Sequence, residues 1–203
     1  MKKFSLLVLV LATFVGSLAA KAEPTYHMRL LFHGHRAIGE EGWGVASWVL
    51  APDIVSKPDK WLGVVGPRYD GTGWYVEGMF GTVMQGGAGK FMFDLRWELN
   101  PKLWDIPLLI WNNEQVFGLS FEDWIVYSYL RVVYVLPKGL GLIGVETEDL
   151  NFKNKPDNYS VGVHIIIPIV GPLVIIPAYQ WHFVPGQGYT GDEFWIRMVL
   201  DFK

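Results

Sequence analysis

Hydrophobic and polar residues alternate along most of this chain. In the clearest stretch, residues 90–100, apolar side chains fall at every odd position and mostly charged ones at even positions. A period of two is typical of a β-strand with one face buried. The same pattern predicts ten strands and no helix after residue 22. The predicted strands span 26–35, 42–50, 60–69, 73–84, 90–100, 124–136, 140–148, 158–169, 173–183 and 192–202.

Two apolar segments need separate treatment. Residues 164–179 are nearly continuously apolar, but Pro168, Pro172 and Pro177 would each remove a hydrogen bond from a helix. This segment is therefore interpreted as two strands around a tight turn at 170–172. Residues 101–123 leave two alternatives open, a further hairpin that would raise the count to twelve strands or an apolar loop folded onto the sheet.

The N-terminus has the pattern of an export signal. A basic Met1-Lys2-Lys3 precedes an apolar run over 4–15, and Ala20-Lys21-Ala22 fits a small-x-small cleavage site. Residues 1–22 are therefore predicted to be removed, leaving 23–203 as a single domain. Cleavage removes three of the 17 basic residues, so that 14 remain against 20 acidic ones and the net charge becomes −6. This balance argues against nucleic acid as a partner, and without cysteine no disulfide stabilises the exported fold.

The last predicted strand carries a resemblance. Apolar residues occupy every second position from Phe194 to Phe202, and the strand runs almost to the end of the chain. This resembles the closing strand of small bacterial outer-membrane β-barrel proteins, although Lys203 after the terminal aromatic residue departs from their pattern. The resemblance implies an all-β, antiparallel, up-and-down transmembrane barrel in the bacterial outer membrane, in contact with its lipid. Ten strands are predicted, with eight or twelve as alternatives.

A membrane barrel turns its apolar face outward and its polar face toward the lumen, whereas a soluble periplasmic barrel does the reverse around an apolar ligand. The charges on the polar faces favour the membrane form. They predict a lumenal charge network of Arg29, Asp94, Arg96, Glu98, Arg131, Arg197 and Asp201. Charges in a narrow interior need partners. Antiparallel closure of the sheet would bring His27 and Arg29 close to Asp201 and Arg197.

Pairing the C-terminal strands suggests one catalytic hypothesis. A turn centred on 171 sets Ser160 opposite His182, and a loop near 187–188 sets His182 opposite Glu193. Serine, histidine and carboxylate in that order are what nucleophilic catalysis requires. The corresponding activity would be lipid acyl hydrolysis, as an alternative to a non-enzymatic barrel.

No cofactor is predicted, and no metal site is assigned. The nearest candidate is His33 with His35, which share a strand face and precede Glu40 and Glu41. Two histidines and a nearby carboxylate form a weak zinc pattern.

The favoured function is a structural or surface-interacting barrel, or one that allows restricted passage of small solutes. Its small-molecule partner would be a small solute or a lipid. Recognition is expected in five loops on one outer end of the barrel. These loops are 34–41, 69–73, 100–123, 149–157 and 184–191.

Overall fold

The computed structural model describes residues 24–39, 42–100, 108–120, 123–152 and 157–202, which form one closed β-barrel of eleven strands. The strands are β1 (Thr25–Ala37), β2 (Trp43–Ala51), β3 (Trp61–Gly71), β4 (Trp74–Gln85), β5 (Ala88–Leu99), β6 (Leu108–Ser120), β7 (Asp123–Val135), β8 (Leu142–Phe152), β9 (Asn158–Val170), β10 (Leu173–Val184) and β11 (Gly188–Phe202). A single 3₁₀ turn, Pro137–Gly139, is the helical element of these residues. The all-β barrel implied by the resemblance is confirmed. The predicted signal peptide lies outside the described residues.

The strand count differs from the expected ten because residues 108–120 form one further strand. β6 covers Leu108–Ser120 and pairs with β5 and β7. The alternation did not predict β6 because Asn112-Asn113-Glu114-Gln115 places four polar residues in a row and interrupts the pattern. Neither the hairpin nor the loop alternative was correct.

The odd count changes how the barrel closes. Each strand is antiparallel to its neighbour in sequence, but β1 and β11 point the same way and pair in parallel. The expectation of a purely antiparallel barrel was therefore wrong. The parallel register sets His27 beside Trp195 and His33 beside Asp201, while Arg29 lies beside Arg197.

The additional strand also places the loops that were expected at one end of the barrel at two opposite ends. Chain direction alternates from strand to strand, so the β1–β2 and β3–β4 connections lie at one end of the barrel. The β8–β9 and β10–β11 connections lie at the opposite end. The tight turn between β9 and β10 is confirmed, with Gly171 at φ +55°.

Side chains segregate by polarity between the two faces of the wall. Along β5, Asp94 and Arg96 are buried inside the barrel, whereas Phe91 and Leu95 are 60% and 46% exposed on the outside. The outward face is thus the apolar one, as expected for a polar lumen. Among the residues that the structure describes, no helix is long and apolar enough to span a membrane.

Two glycines let β3 and β4 approach closely. A Cβ at Gly66 or at Gly81 would overlap backbone atoms of the facing strand. Only a residue without a side chain fits there. Immediately after this contact, the register sets Arg68 opposite Glu77 in the barrel interior.

Candidate functional site

Buried ionisable residues fill the middle of the barrel and form two clusters. The first, called here the Arg197 cluster, lies against β7–β11 and β1. It consists of Arg29, Tyr127, Tyr129, Glu146, Glu148, His164, Gln180 and Arg197. The second, called the Glu77 cluster, lies against β1–β6 and the end of β11. It consists of His33, Trp48, Arg68, Asp70, Tyr75, Glu77, Asp94, Arg96, Glu98, Gln115 and Asp201.

Two glutamates occupy the centre of the Arg197 cluster. Glu146 and Glu148 are separated by one residue on β8, so both side chains point inward. Arg197 Nη1 lies 2.7 Å from Glu146 Oε1, and its Nη2 donates to Glu148 Oε2 at 3.0 Å. Arg29 Nη1 donates to Glu148 Oε1 at 2.8 Å, and Gln180 Nε2 donates to both glutamates at 2.7 and 2.8 Å. The two carboxylates and two guanidinium groups balance in charge.

Tyrosines complete the hydrogen bonding of these glutamates. Tyr129 Oη donates to Glu146 and Tyr127 Oη to Glu148, each at 2.6 Å. The predicted network member Arg131 reaches this cluster indirectly, by donating to the Tyr129 hydroxyl. His164 Nδ1 lies 3.0 Å from Glu146. Charge-assisted bonds of this kind hold the chain rigidly across the lumen.

The Glu77 cluster combines ion pairs with stacking. Arg68 donates to Glu77 at 2.8 Å and to Asp70, while Trp48 Nε1 donates to the second oxygen of Glu77 at 2.8 Å. The Arg68 guanidinium lies 3.7 Å from the centre of the Tyr75 ring. Arg96 lies 3.9 Å from that of Trp48. Aromatic faces thereby support these two guanidinium groups in addition to their carboxylate partners.

The other predicted network residues of this region have identified partners. Arg96 Nη2 donates to Asp94 at 3.0 Å, and Glu98 accepts from the Tyr75 hydroxyl at 3.2 Å. Asp201 faces His33 at 2.8 Å, rather than His27 as the antiparallel closure implied. His27 instead contacts Asp53 at 2.6 Å, at the opposite end of β1.

Several interior residues were absent from the predicted network. Arg68, Glu148 and Gln180 were not singled out, although Gln180 and Glu148 contact each other inside the barrel. Alternation along their strands places these residues on the inward face, as it does the residues that were predicted. That alternation was the signal available in the sequence. It could not show which inward residues meet across the lumen, because that depends on strand order and closure.

Apolar side chains also enter the interior, at two opposite ends. Val64, Met79 and Met92 form one buried cluster near the β4–β5 turn, with Trp48 and Phe117 packed against it. Val133, Ile166 and Ile176 form the other, near the β9–β10 turn. The interior is therefore a packed core containing both charged and apolar layers.

A cavity of about 390 Å³ opens at the end of the barrel that carries the β4–β5 turn. Its lining includes Leu62, Met92 and Phe117, with Lys60 and Lys90 among its polar residues. Burial lowers the pKa of Lys60 below its usual range, and the neighbouring positive charge of Lys57 lowers it further.

The predicted catalytic residues come only partly together. Ser160 is opposite His182 as expected, but His182 is opposite Gly191, and Glu193 is opposite Gln180. The His182 imidazole still lies 3.0 Å from Glu193 through Nε2, and its Nδ1 faces Asn158 at 3.3 Å. The buried Ser160 hydroxyl has no hydrogen-bond partner among the described residues. The acyl-hydrolase hypothesis stays a prediction, which loss of lipid hydrolysis in Ser160→Ala would test.

The two histidines of the weak metal candidate lie on one inward face near the end of β1. His33 is buried against Trp48, with ring centres 3.8 Å apart, and His35 stacks beside it. Three possible ligand atoms lie within 4.8 Å of one another, one each from His33, His35 and Asp201. Glu40 and Glu41, the acids expected there, lie outside the described residues.

A carboxylate in the β2–β3 connection is held by several donors. Asp53 accepts from the Ser56 hydroxyl, from the backbone N–H of Val55 and of Met28, and contacts His27. Burial alone would raise the pKa of Asp53, but these hydrogen bonds outweigh it and lower the pKa to about 2. The connection is thereby fastened to β1.

Comparison with known proteins adds no family to this description. No protein-family model, no curated protein and no solved structure matches the chain. Its function is therefore argued from the barrel and from the residues inside it.

Proposed function

We propose that this chain is a β-barrel of the bacterial outer membrane with a packed lumen, serving a structural or surface-interacting role. The observation that carries the proposal is the polarity of the wall. Glu77, Glu146 and Arg197 are at most 4% exposed inside, whereas Phe80, Phe91 and Val65 are 55–60% exposed outside. A soluble barrel gains its stability by burying the apolar face, so lipid is the solvent that suits this arrangement.

Strand lengths support the same proposal. The shortest strand, β2, has 9 residues, and the longest, β11, has 15. A tilted strand of about 9–11 residues crosses the hydrocarbon core of a bilayer. Closure also leaves no unpaired sheet edge, which a lipid environment requires.

The outward face has a polar section on β6–β8. Glu114 and Asp149 lie there by register, and they accept hydrogen bonds from Ser128 and Asn151 respectively. Each outward carboxylate therefore has a neighbouring donor, which lowers the cost of its position in a low-dielectric environment.

Packing of the lumen favours a closed barrel over an open pore. The two charge clusters and the two apolar clusters meet across the interior, which in barrels of about eight strands is only just filled by side chains. Passage would be restricted to solutes that displace these side chains. In a planar bilayer we expect no steady open-channel current, and a large stable conductance would contradict the closed lumen.

Matched exterior substitutions test the membrane location. Leu95→Arg places a charge on the strand wall, and Val55→Arg places one in the β2–β3 connection; both residues are exposed. In a membrane the first should cost about 2–4 kcal/mol of folding free energy and the second close to zero. Urea unfolding from lipid vesicles measures both.

Cell fractionation gives an independent result. We expect the chain in the detergent-extracted membrane fraction, with a gel mobility that changes on heating. Recovery in the periplasmic wash without detergent, together with equal stability of Leu95→Arg and Val55→Arg, would instead support the soluble periplasmic barrel.

A further inference from the structure

We propose that His33, His35 and Asp201 bind one divalent transition-metal ion of the zinc class at the seam where the first and last strands meet. The site is separate from the Arg197 cluster and does not depend on the membrane location. It follows from the parallel closure of the barrel, which brings a carboxylate from the end of β11 to two histidines of β1.

The backbone places the three residues together without any loop. His33 and His35 are two apart on β1, so their side chains project from the same face. Asp201 is the registered neighbour of His33 on β11, and His33 Nδ1 lies 2.8 Å from Asp201 Oδ1. The strands are hydrogen-bonded to each other, so the ligand set is held by the sheet itself.

The distances suit a zinc ion after small side-chain rotations. Zinc bonds of about 2.0–2.2 Å in tetrahedral geometry put ligand atoms about 3.3–3.6 Å apart. One atom each of His33, His35 and Asp201 lie within 4.8 Å of one another. Two imidazoles and one carboxylate form a three-ligand set, with the fourth position open to water.

Unpaired buried nitrogens point independently to a ligand. His33 is 8% exposed, and its Nε2 has no hydrogen-bond partner among the described residues. The buried Nδ1 of His35 lacks one as well. Buried polar atoms in proteins are nearly always satisfied, and a bound ion is one way to achieve this.

The surrounding charges favour a cation. Glu77 Oε1 lies 3.7 Å from His33 Nε2, and Asp201 contacts the other nitrogen of the same ring. The nearby positive charge of Arg68 is already paired with Glu77 and Asp70. His35 and Asp201 are half-buried close to the strand ends, so an ion can reach the site from that end of the barrel.

Zinc retention by the purified, folded chain tests the proposal. In equilibrium dialysis against Zn²⁺ we expect about one ion per chain. His35→Ala and Asp201→Asn should each weaken zinc binding by about 100-fold or more, since loss of an outer partner of a ligand alone costs about 10–100-fold. These two positions are less buried than His33, so folding of the variants is expected and can be verified by circular dichroism.

His182→Gln is the matched control. His182 also faces the interior and lies 3.0 Å from a carboxylate, but it does so at the other end of the barrel. This variant should retain the wild-type zinc content. Zinc should also raise the urea midpoint of the wild-type chain and not that of Asp201→Asn, because the ion joins β1 to β11. Absence of zinc from the wild-type chain, or equal retention by all variants, would overturn the proposal.

Discussion

The two charge clusters of the lumen differ in how completely their carboxylates are satisfied. In the Arg197 cluster, every oxygen of Glu146 and Glu148 has at least two donor groups within 3.0 Å. In the Glu77 cluster, each oxygen of Glu77 accepts one such bond, and Asp94 Oδ1 accepts none within the described residues. The central carboxylates of the Arg197 cluster are saturated with donors, and those of the Glu77 cluster are not.

This difference separates a structural role from a binding role. A buried carboxylate pair with every oxygen satisfied rigidifies the fold and leaves no carboxylate oxygen free for a ligand. The Glu77 cluster keeps one unpaired nitrogen, Nε2, on His33 and reaches solvent at Asp70 and Asp201, whose side chains are 40% and 37% exposed. We therefore assign closure of the lumen to the Arg197 cluster and ion binding to the edge of the Glu77 cluster.

The largest effect is expected from Arg197→Met. It leaves both Glu146 and Glu148 with fewer cations in a buried position, and removing one partner of a buried pair costs about 3–5 kcal/mol. The free energy of unfolding in urea measures this loss. Adding Glu146→Gln should recover part of it, because one buried charge is then removed. A loss below 1 kcal/mol in the single variant would contradict the structural assignment.

A smaller effect is expected from Arg68→Met in the other cluster. One buried carboxylate, Glu77, loses its cation but retains the Trp48 hydrogen bond, while Asp70 can be hydrated. We expect about 1–3 kcal/mol in the same unfolding measurement. Equal losses of stability in Arg197→Met and Arg68→Met would contradict the difference between the two clusters.

The smallest effect concerns Asp53, a carboxylate outside both clusters. The hydrogen bonds to Asp53 lower its pKa from 3.8 to about 2 in the folded state. Its stabilisation is therefore present above pH about 4 and is lost as the pH falls toward 2. Asp53→Asn should remove this part of the acid dependence, measured as the urea midpoint between pH 5 and pH 2. An unchanged slope in Asp53→Asn would show that Asp53 does not contribute.

Much of the strand pattern could be predicted because alternation is a local property. β5 and β11 were both anticipated, since period two is set by residues adjacent in the chain. β6 was missed because its outward face carries the polar residues Asn112 and Glu114, which interrupt the alternation. Polar residues are tolerated on that face because neighbouring strands supply hydrogen-bond partners, and the sequence of β6 alone does not show this.

The partners of the candidate residues were harder to predict than their faces. Inward parity for Asp94, Arg96 and Arg197 follows from alternation, but the partner of Asp201 depends on the number of strands. A single additional strand reversed the direction in which β11 meets β1 and moved Asp201 from His27 to His33. The two-residue shift between His182 and Glu193 has a local origin, because the β10–β11 turn pairs Val184 with Gly188 and is centred on residue 186 rather than on 187–188.

The amino-acid sequence by itself therefore determined that this chain forms strands and which side chains share a face, because both depend on neighbours one or two positions apart. Only the tertiary structure decided the count of eleven, the parallel seam and the meeting of His33, His35 and Asp201. These depend on closure, in which residues far apart in the chain become neighbours through a register that no local pattern contains.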